Sequence, residues 1–197
     1  MILTSIKQAM AAISPEAMIE TEHSKKGYLL DVTVAPGKVL DAVNVMDKEG
    51  FFIETITGVD WLGEKEALQK EAEAKAAAEA KAKAAAEAEA SGEEAASAPP
   101  AEPPADTAQK ATPVDDLEVV YDFSRYDFDL CRVVIRTRVD RKSPVVPTIT
   151  EIYPGANWHE RETHDFFGIK FDGHPHLIPL LLPEDADFHP LLKDFKA

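Results

Sequence analysis

Apolar positions recur along this chain at two different periods, and each change of period marks an element. Residues 2–13 place Ile2, Leu3, Ile6, Ala9, Met10 and Ile13 at helical spacing, which predicts an amphipathic opening helix. Two short strands are expected next, near 18–23 and 27–34, and in the second Tyr28, Leu30, Val32 and Val34 share one face. Pro36 opens a helix whose Val39, Leu40, Val43 and Met46 face inward, and Gly50 ends it. Residues 51–61, rich in β-branched and aromatic side chains, read as a strand.

Periodicity then disappears. Residues 64–113 hold twenty alanines in fifty positions, with Glu and Lys to about Glu89 and Pro, Ala and Ser beyond it. Glu66–Lys70, Glu71–Lys75 and Glu79–Lys83 have the favourable i,i+4 order, each supporting a helix by roughly 0.2–0.5 kcal/mol. Beyond Leu68 there is no apolar stripe, so such a helix has nothing with which to pack on a core. Pro99, Pro100, Pro103 and Pro104 make the remainder an extended or disordered tether.

Alternation returns after the tether. Leu117, Val119, Tyr121 and Phe123 alternate with polar residues, and a second strand is expected over 127–139, with the hairpin turning near Ser124–Arg125. That strand puts Cys131, Val133, Ile135, Thr137 and Val139 on one face and Arg132, Val134, Arg136 and Arg138 on the other. The arginine stripe is either a sheet face paired with neighbouring acids or a docking surface for an acidic partner. If a strand before the tether pairs with one after it, the tether is an insertion in a hairpin, at a closure cost of roughly 2.3 kcal/mol.

The densest stretch is 156–171, ANWHERETHDFFGIKF. Asn157 as N-cap with Glu160 three residues later reads as a capping box, and Gly168 is placed to stop the helix in a left-handed turn. Arg161 and Asp165 share one face with Gly168, and Trp158, Glu162 and Phe166 share another, so charge lies beside large aromatic surface on both. Aromatics and Arg dominate interface energetics, which points to a helix that docks on a second protein. The run HPHLIPLLLPEDADFHPLLKDFKA follows. Pro175, Pro179, Pro183 and Pro190 bar long regular elements, yet the run carries Leu180, Leu181, Leu191 and Phe195 among its apolar residues. Such a tail either folds back on its own domain or grips a neighbour. The fold expected is α+β: a small mixed sheet with flanking helices, a long Ala/Glu/Lys/Pro-rich insertion and an extended C-terminal arm. Residues 1–63 supply the first part of the domain, 64–113 the tether, 114–170 the remainder with the Glu160-Arg161-Glu162 helix, and 171–197 the arm.

Charge narrows the function. The net charge of −15 is spread over all parts of the chain and no segment is basic, so a phosphate backbone has no footprint. The lone Cys131 excludes an intramolecular disulfide or a thiolate-rich metal site in this chain, and its place among Val and Ile suits a small buried residue. The first residues lack a basic start and an unbroken apolar core, and no run reaches bilayer length, so neither a signal peptide nor a transmembrane segment is expected. His159, His164, His174, His176 and His189 invite a metal reading, but His159 and His164 lie well off a common helical face and His174-Pro-His176 matches no metal signature. Glu160 and Glu162 point in different directions on a helix, which argues against a paired acid/base site. No nucleophile elbow, P-loop or GxGxxG occurs. Glu160 then caps the helix and Arg161 forms an ion pair, within the chain or across an interface.

The run TITEIYPGANWHERETHDFFGIKFDGHPHL closely resembles the signature of the 30 kDa (C) subunit of proton-pumping NADH:quinone oxidoreductase, respiratory complex I. Glu160-Arg161-Glu162, Asp165, Phe166-Phe167, Gly168 and His174 carry the resemblance, which extends to TGVDW at 57–61, LEVVYDF at 117–123 and HPLLKDF at 189–195. It implies a non-catalytic structural and assembly subunit of the peripheral arm, on the cytoplasmic side of a bacterial inner membrane. No cofactor is expected in this chain; iron–sulfur clusters, flavin and quinone belong to partners. The implied partners are the D-type large subunit of complex I and its B-type iron–sulfur subunit. The implied contacts are Trp158, Glu160, Arg161, Glu162, Asp165, Phe166, Phe167, Gly168, His174, Pro175, Leu180, Leu181, His189, Pro190, Lys193, Asp194 and Phe195. Two departures stand out: Ile178-Pro179 replaces the basic residues common after His-Pro-x-Leu, and Leu192 replaces an Arg. They leave open the related subunit of membrane-bound, energy-converting nickel–iron hydrogenases, in which the equivalent large subunit holds a nickel–iron centre. A stand-alone metal- or ligand-binding protein is the reading of a different class.

Overall fold

The computed structural model describes residues 2–63, 116–127 and 131–196. The chain divides into two compact units, Met1–Leu62 with Asp115–Ala197, and Gly63–Val114; the tether expected over 64–113 lies outside the described residues. The first unit runs α1 (Ile2–Ile13), β1 (Ala17–Glu20), α2 (His23–Lys26), β2 (Leu30–Thr33), a 3₁₀ turn (Pro36–Lys38) leading into α3 (Val39–Lys48), then β3 (Phe52–Asp60). After the insertion come β4 (Asp116–Arg125), β5 (Cys131–Asp140), β6 (Val145–Pro147), α4 (Ala156–Phe167) and β7 (Lys170–Asp172). Five strands form one mixed sheet in the order β1-β2-β5-β4-β3, in which β2 and β5 are parallel and the other pairs antiparallel; β6 and β7 make a small parallel pair.

Strict alternation in β4 and β5 builds the core. Leu117, Val119, Tyr121 and Phe123, with Val133, Ile135 and Val139, are buried beside Ile6 and Met10 of α1 and Val39, Val43 and Met46 of α3. Asp60 is the register partner of Leu117, so the strand before the insertion does pair with the strand after it. The opposite face carries the arginine stripe, and each arginine meets acids on other strands of the sheet. Arg132 pairs with Glu54 and lies 3.2 Å from Asp122. Arg136 reaches Asp31 at 3.0 Å and Glu118 at 3.4 Å, while Arg138 reaches Glu118 at 3.5 Å and stacks over Trp61. The paired-face reading therefore describes this stripe. Glu118 is buried on that face, and a buried carboxylate needs such cations.

Three local expectations are corrected. The second strand is shorter than 27–34, because residues 23–26 bend into α2 and Gly27, at φ 80°, closes that turn with its N–H donating to the His23 carbonyl. Leu40 does not face inward: the buried stripe of α3 is Val39, Ala42, Val43 and Met46, which leaves Leu40 on the outer flank. The β4–β5 hairpin turns beyond Arg125, not at Ser124–Arg125, since Arg125 is still paired with Cys131 and Ser124 with Arg132.

Candidate interaction site: helix α4 and the C-terminal arm

Helix α4 does not start with the expected capping box. Its N-cap is Gly155, with no side-chain cap, and Asn157 lies inside the first turn. The preceding turn already satisfies the first donors, because the Ala156 and Asn157 N–H groups donate to the Tyr153 and Pro154 carbonyls. Glu160 is thereby freed from capping and turns into the protein. At the other end Gly168, at φ 71°, takes the left-handed position expected of it. A Cβ there would stand 2.7 Å from the His189 ring, so glycine also admits the arm.

Glu160 is fully buried. Oε1 accepts the Ile149 N–H at 2.8 Å and Oε2 meets the Thr148 hydroxyl at 2.5 Å, while Thr148 Oγ1 sits 3.0 Å from that of Thr150. Burial pushes the carboxyl up to about 7, and the bonds from Ile149 and Thr148 offset only part of that. His174 Nε2 lies 3.9 Å from Glu160 Oε2, yet this is not a salt bridge at neutral pH. Burial lowers the His174 pKa, and its Nδ1 accepts the His176 N–H, so the ring is neutral with its proton on Nε2.

Arg161 and Asp165, one turn apart, hold the arm from opposite chemical sides. Arg161 donates from Nε to the Ile178 carbonyl at 3.0 Å and from a terminal nitrogen to the Pro179 carbonyl at 2.8 Å. Asp165 Oδ2 accepts the N–H groups of Leu180, Leu181 and Leu182 at 2.7, 2.8 and 3.3 Å. Further along, His189 Nδ1 donates to the Asp165 carbonyl and the Leu191 N–H to that of Phe166. Asp60 at the end of β3 takes the Lys193 N–H at 2.8 Å and also binds Arg141, which reaches Asp194 in turn. Hydrogen bonding by these groups and its Arg141 partner holds the Asp60 carboxyl below its ordinary range, against the opposing effect of burial. The arm thus folds back on its own domain through charged anchors, and its four prolines leave it little freedom between them.

Gly58 explains the glycine of TGVDW. A Cβ on it would approach the Phe167 ring to 2.5 Å, so only glycine lets α4 lie this close to β3. Thr163 adds a hydroxyl bond to the Ile56 carbonyl. Glu160, Asp165 and Phe167 are therefore buried within the chain, and Arg161, Phe166, Gly168, His174, Leu180, His189 and Pro190 are half-buried along the seam. Glu162, Pro175, Lys193 and Asp194 are exposed. Large apolar groups remain in solvent: Trp158 is 61% exposed, Leu181 63%, Leu191 53% and Phe195 37%, with Ile178 and Phe188 alike. Phe188 and Phe195 stack on each other at 5.6 Å, and Arg161 lies over Trp158 at 5.5 Å. Sequence reasoning did not single out Asp60, Arg141, Thr148 and Thr150 as anchors. TGVDW contained the first and the run opening TITEIYPG contained both threonines, while Arg141 lies outside every motif.

Among the described residues no group of three His, Cys, Asp or Glu side chains is placed to hold a metal ion. The family model for the respiratory-chain NADH dehydrogenase 30 Kd subunit matches residues 99–197, half of the chain. The chain belongs to that family. The C subunit of NADH-quinone oxidoreductase from Roseiflexus castenholzii is 49% identical over 78 residues, 40% of this chain and 44% of that protein. A joined C/D subunit of the same enzyme from Edwardsiella ictaluri is 41% identical over 91 residues, 46% of this chain and 15% of that protein. This member of the 30 Kd family thus spans less than half the length of the curated relatives it matches. Two solved structures share its fold. A trypsin-resistant fragment of Nqo5 aligns with a TM-score of 0.55 at 22% identity, covering 90% of this chain and all of the fragment. A chain of the membrane-bound sulfane sulfur reductase, an archaeal respiratory membrane complex, aligns at 0.61 and 21% identity, covering 97% of this chain and 83% of that one. Among the described residues, no helix of this complex-I-type protein is long and apolar enough to cross a membrane.

Proposed function

We propose that this 30 Kd-family chain is a non-catalytic structural subunit of the peripheral arm of a complex-I-like oxidoreductase, supporting electron transfer to quinone without holding a cofactor. The observation that carries the reading is the arm. Ile178, Leu181, Phe188, Leu191 and Phe195, beside Trp158 of α4, expose apolar surface on a segment fixed by Arg161, Asp165 and Asp60, so binding costs little further ordering. Exposed aromatic and leucine side chains on a rigid frame are the usual anchors of an interface. The partner is a large subunit of the D type, with the B-type iron–sulfur subunit next to it; a relative whose name joins C and D in one protein supports the first of these. The iron–sulfur clusters, flavin and quinone reside in partners, and the assembly sits on the cytoplasmic side of the membrane. The contacts lie on the exposed residues above together with Glu162, Pro175, Lys193 and Asp194, and the buried members of the Glu160–Phe167 run position them.

A second reading, the equivalent subunit of a membrane-bound energy-converting hydrogenase, rests on Ile178-Pro179 and Leu192 standing where the quinone-reducing family has cations. Native pull-down of the tagged full chain tests both. Recovery of an iron–sulfur protein together with a large subunit is expected; two CxxC pairs in that large subunit would mark the hydrogenase. Purification of the chain alone, at native abundance and low salt, would overturn the docking role.

A further inference from the structure

Of the three charges in Glu160-Arg161-Glu162, two are spent inside the chain. Glu160 holds the Thr148–Ile149 segment, and Arg161 holds the carbonyls of the arm. Glu162 is exposed and forms no ion pair among the described residues. It lines a cleft of about 150 Å³ between β3 and α4, together with Thr55, Thr57, Thr163, Phe166 and Leu191. The cleft is framed in advance: the Leu191 N–H donates to the Phe166 carbonyl, and Thr163 ties α4 to the Ile56 carbonyl. Phe166 lies one helical turn from Glu162, on the same face.

We propose that this cleft receives one arginine side chain from the large subunit, with its guanidinium paired to Glu162. This rests on the docking reading above and names its charged contact. A volume near 150 Å³ takes a single ring-sized group, not a helix or a strand. The chemistry of the walls selects among such groups. Phe166 and Leu191 give a planar cation an apolar bed, the threonine hydroxyls accept its N–H groups, and the carboxylate matches the guanidinium fork. A partner's leucine would leave Glu162 unpaired as it lost water, and a partner's acid would repel it. The cleft adjoins exposed Leu191, so the contact is continuous with the apolar surface of the arm.

The test measures binding of the full chain to the purified D-type large subunit as salt is raised, for wild type, Glu162→Gln and Glu162→Arg. The expected result is at least about tenfold weaker binding for Glu162→Gln, a larger loss for Glu162→Arg, and a shallower salt dependence in Glu162→Gln. The melting temperature of each isolated variant should match wild type, which separates an interface role from a folding one. Wild-type binding with no change in either variant overturns the arginine contact and leaves the docking role standing. Failure of the wild-type chain to bind the large subunit overturns both.

Discussion

Replacing Glu160 by glutamine should change how stability depends on pH more than it changes stability itself. The wild-type carboxyl is fully buried and titrates at about 7, against an ordinary value of 4.5 in the unfolded chain. Below 4.5 both states hold the proton and the group costs nothing. Between 4.5 and 7 the unfolded chain releases it first, so this group's contribution falls as pH rises and levels off above 7. The whole effect is on the order of 3 kcal/mol, most of it between about pH 5 and 8. Glutamine is neutral throughout and keeps an acceptor for the Ile149 N–H, while the Thr148 hydroxyl, which donates to Oε2 in the wild type, turns to accept from the amide. His174 acts in the opposite direction, because its lowered pKa gives stability that is present above 6.5 and lost as pH falls. Asp122, whose pKa burial raises, acts in the same direction as Glu160. Both remain in the variant, so the difference between the two proteins isolates Glu160. Urea unfolding at pH 5, 6, 7 and 8 gives that difference directly. The variant should gain on wild type steadily up to about pH 7 and then hold its lead. Parallel curves for the two proteins would refute a buried Glu160 that keeps its proton up to about pH 7.

Two further substitutions probe how the site is held. Gly58→Ala drives a methyl into the Phe167 ring, and thermal unfolding should show a loss of about 1–3 kcal/mol; Gly37→Ala, with nothing within 4 Å of its Cβ, serves as the control. Asp165→Ala removes the acceptor for three consecutive N–H groups and should expose the 178–182 segment to limited proteolysis, while the sheet keeps its circular dichroism.

Much of the frame was legible in the chain itself. Strict alternation from Leu117 to Phe123 and from Cys131 to Val139 defined two strands and their buried faces, because side chains in a strand alternate sides with period 2. The charged-aromatic run from Trp158 to Gly168 announced a helix with a glycine stop for a similar reason. What misled was local chemistry with more than one solution. Asn157 and Glu160 fit a capping box by spacing, but the turn from Tyr153 to Ala156 supplied the cap instead and left the carboxyl for the interior.

The sequence by itself thus determined the α+β class, the long strands on either side of the alanine-rich stretch, the family and the stretch that matters, since period, composition and motif are properties of neighbours along the chain. Only the tertiary structure decided what each charge does. Glu160 and Thr148 are twelve residues apart and Asp60 and Lys193 a hundred and thirty-three, and no periodicity reports a hydrogen bond across that separation. Folding brought the first glutamate against Thr148, the arginine against the arm and Asp60 against Lys193, because buried charge must find partners. It left Glu162, the one charge of the three that stays in water, beside the cleft.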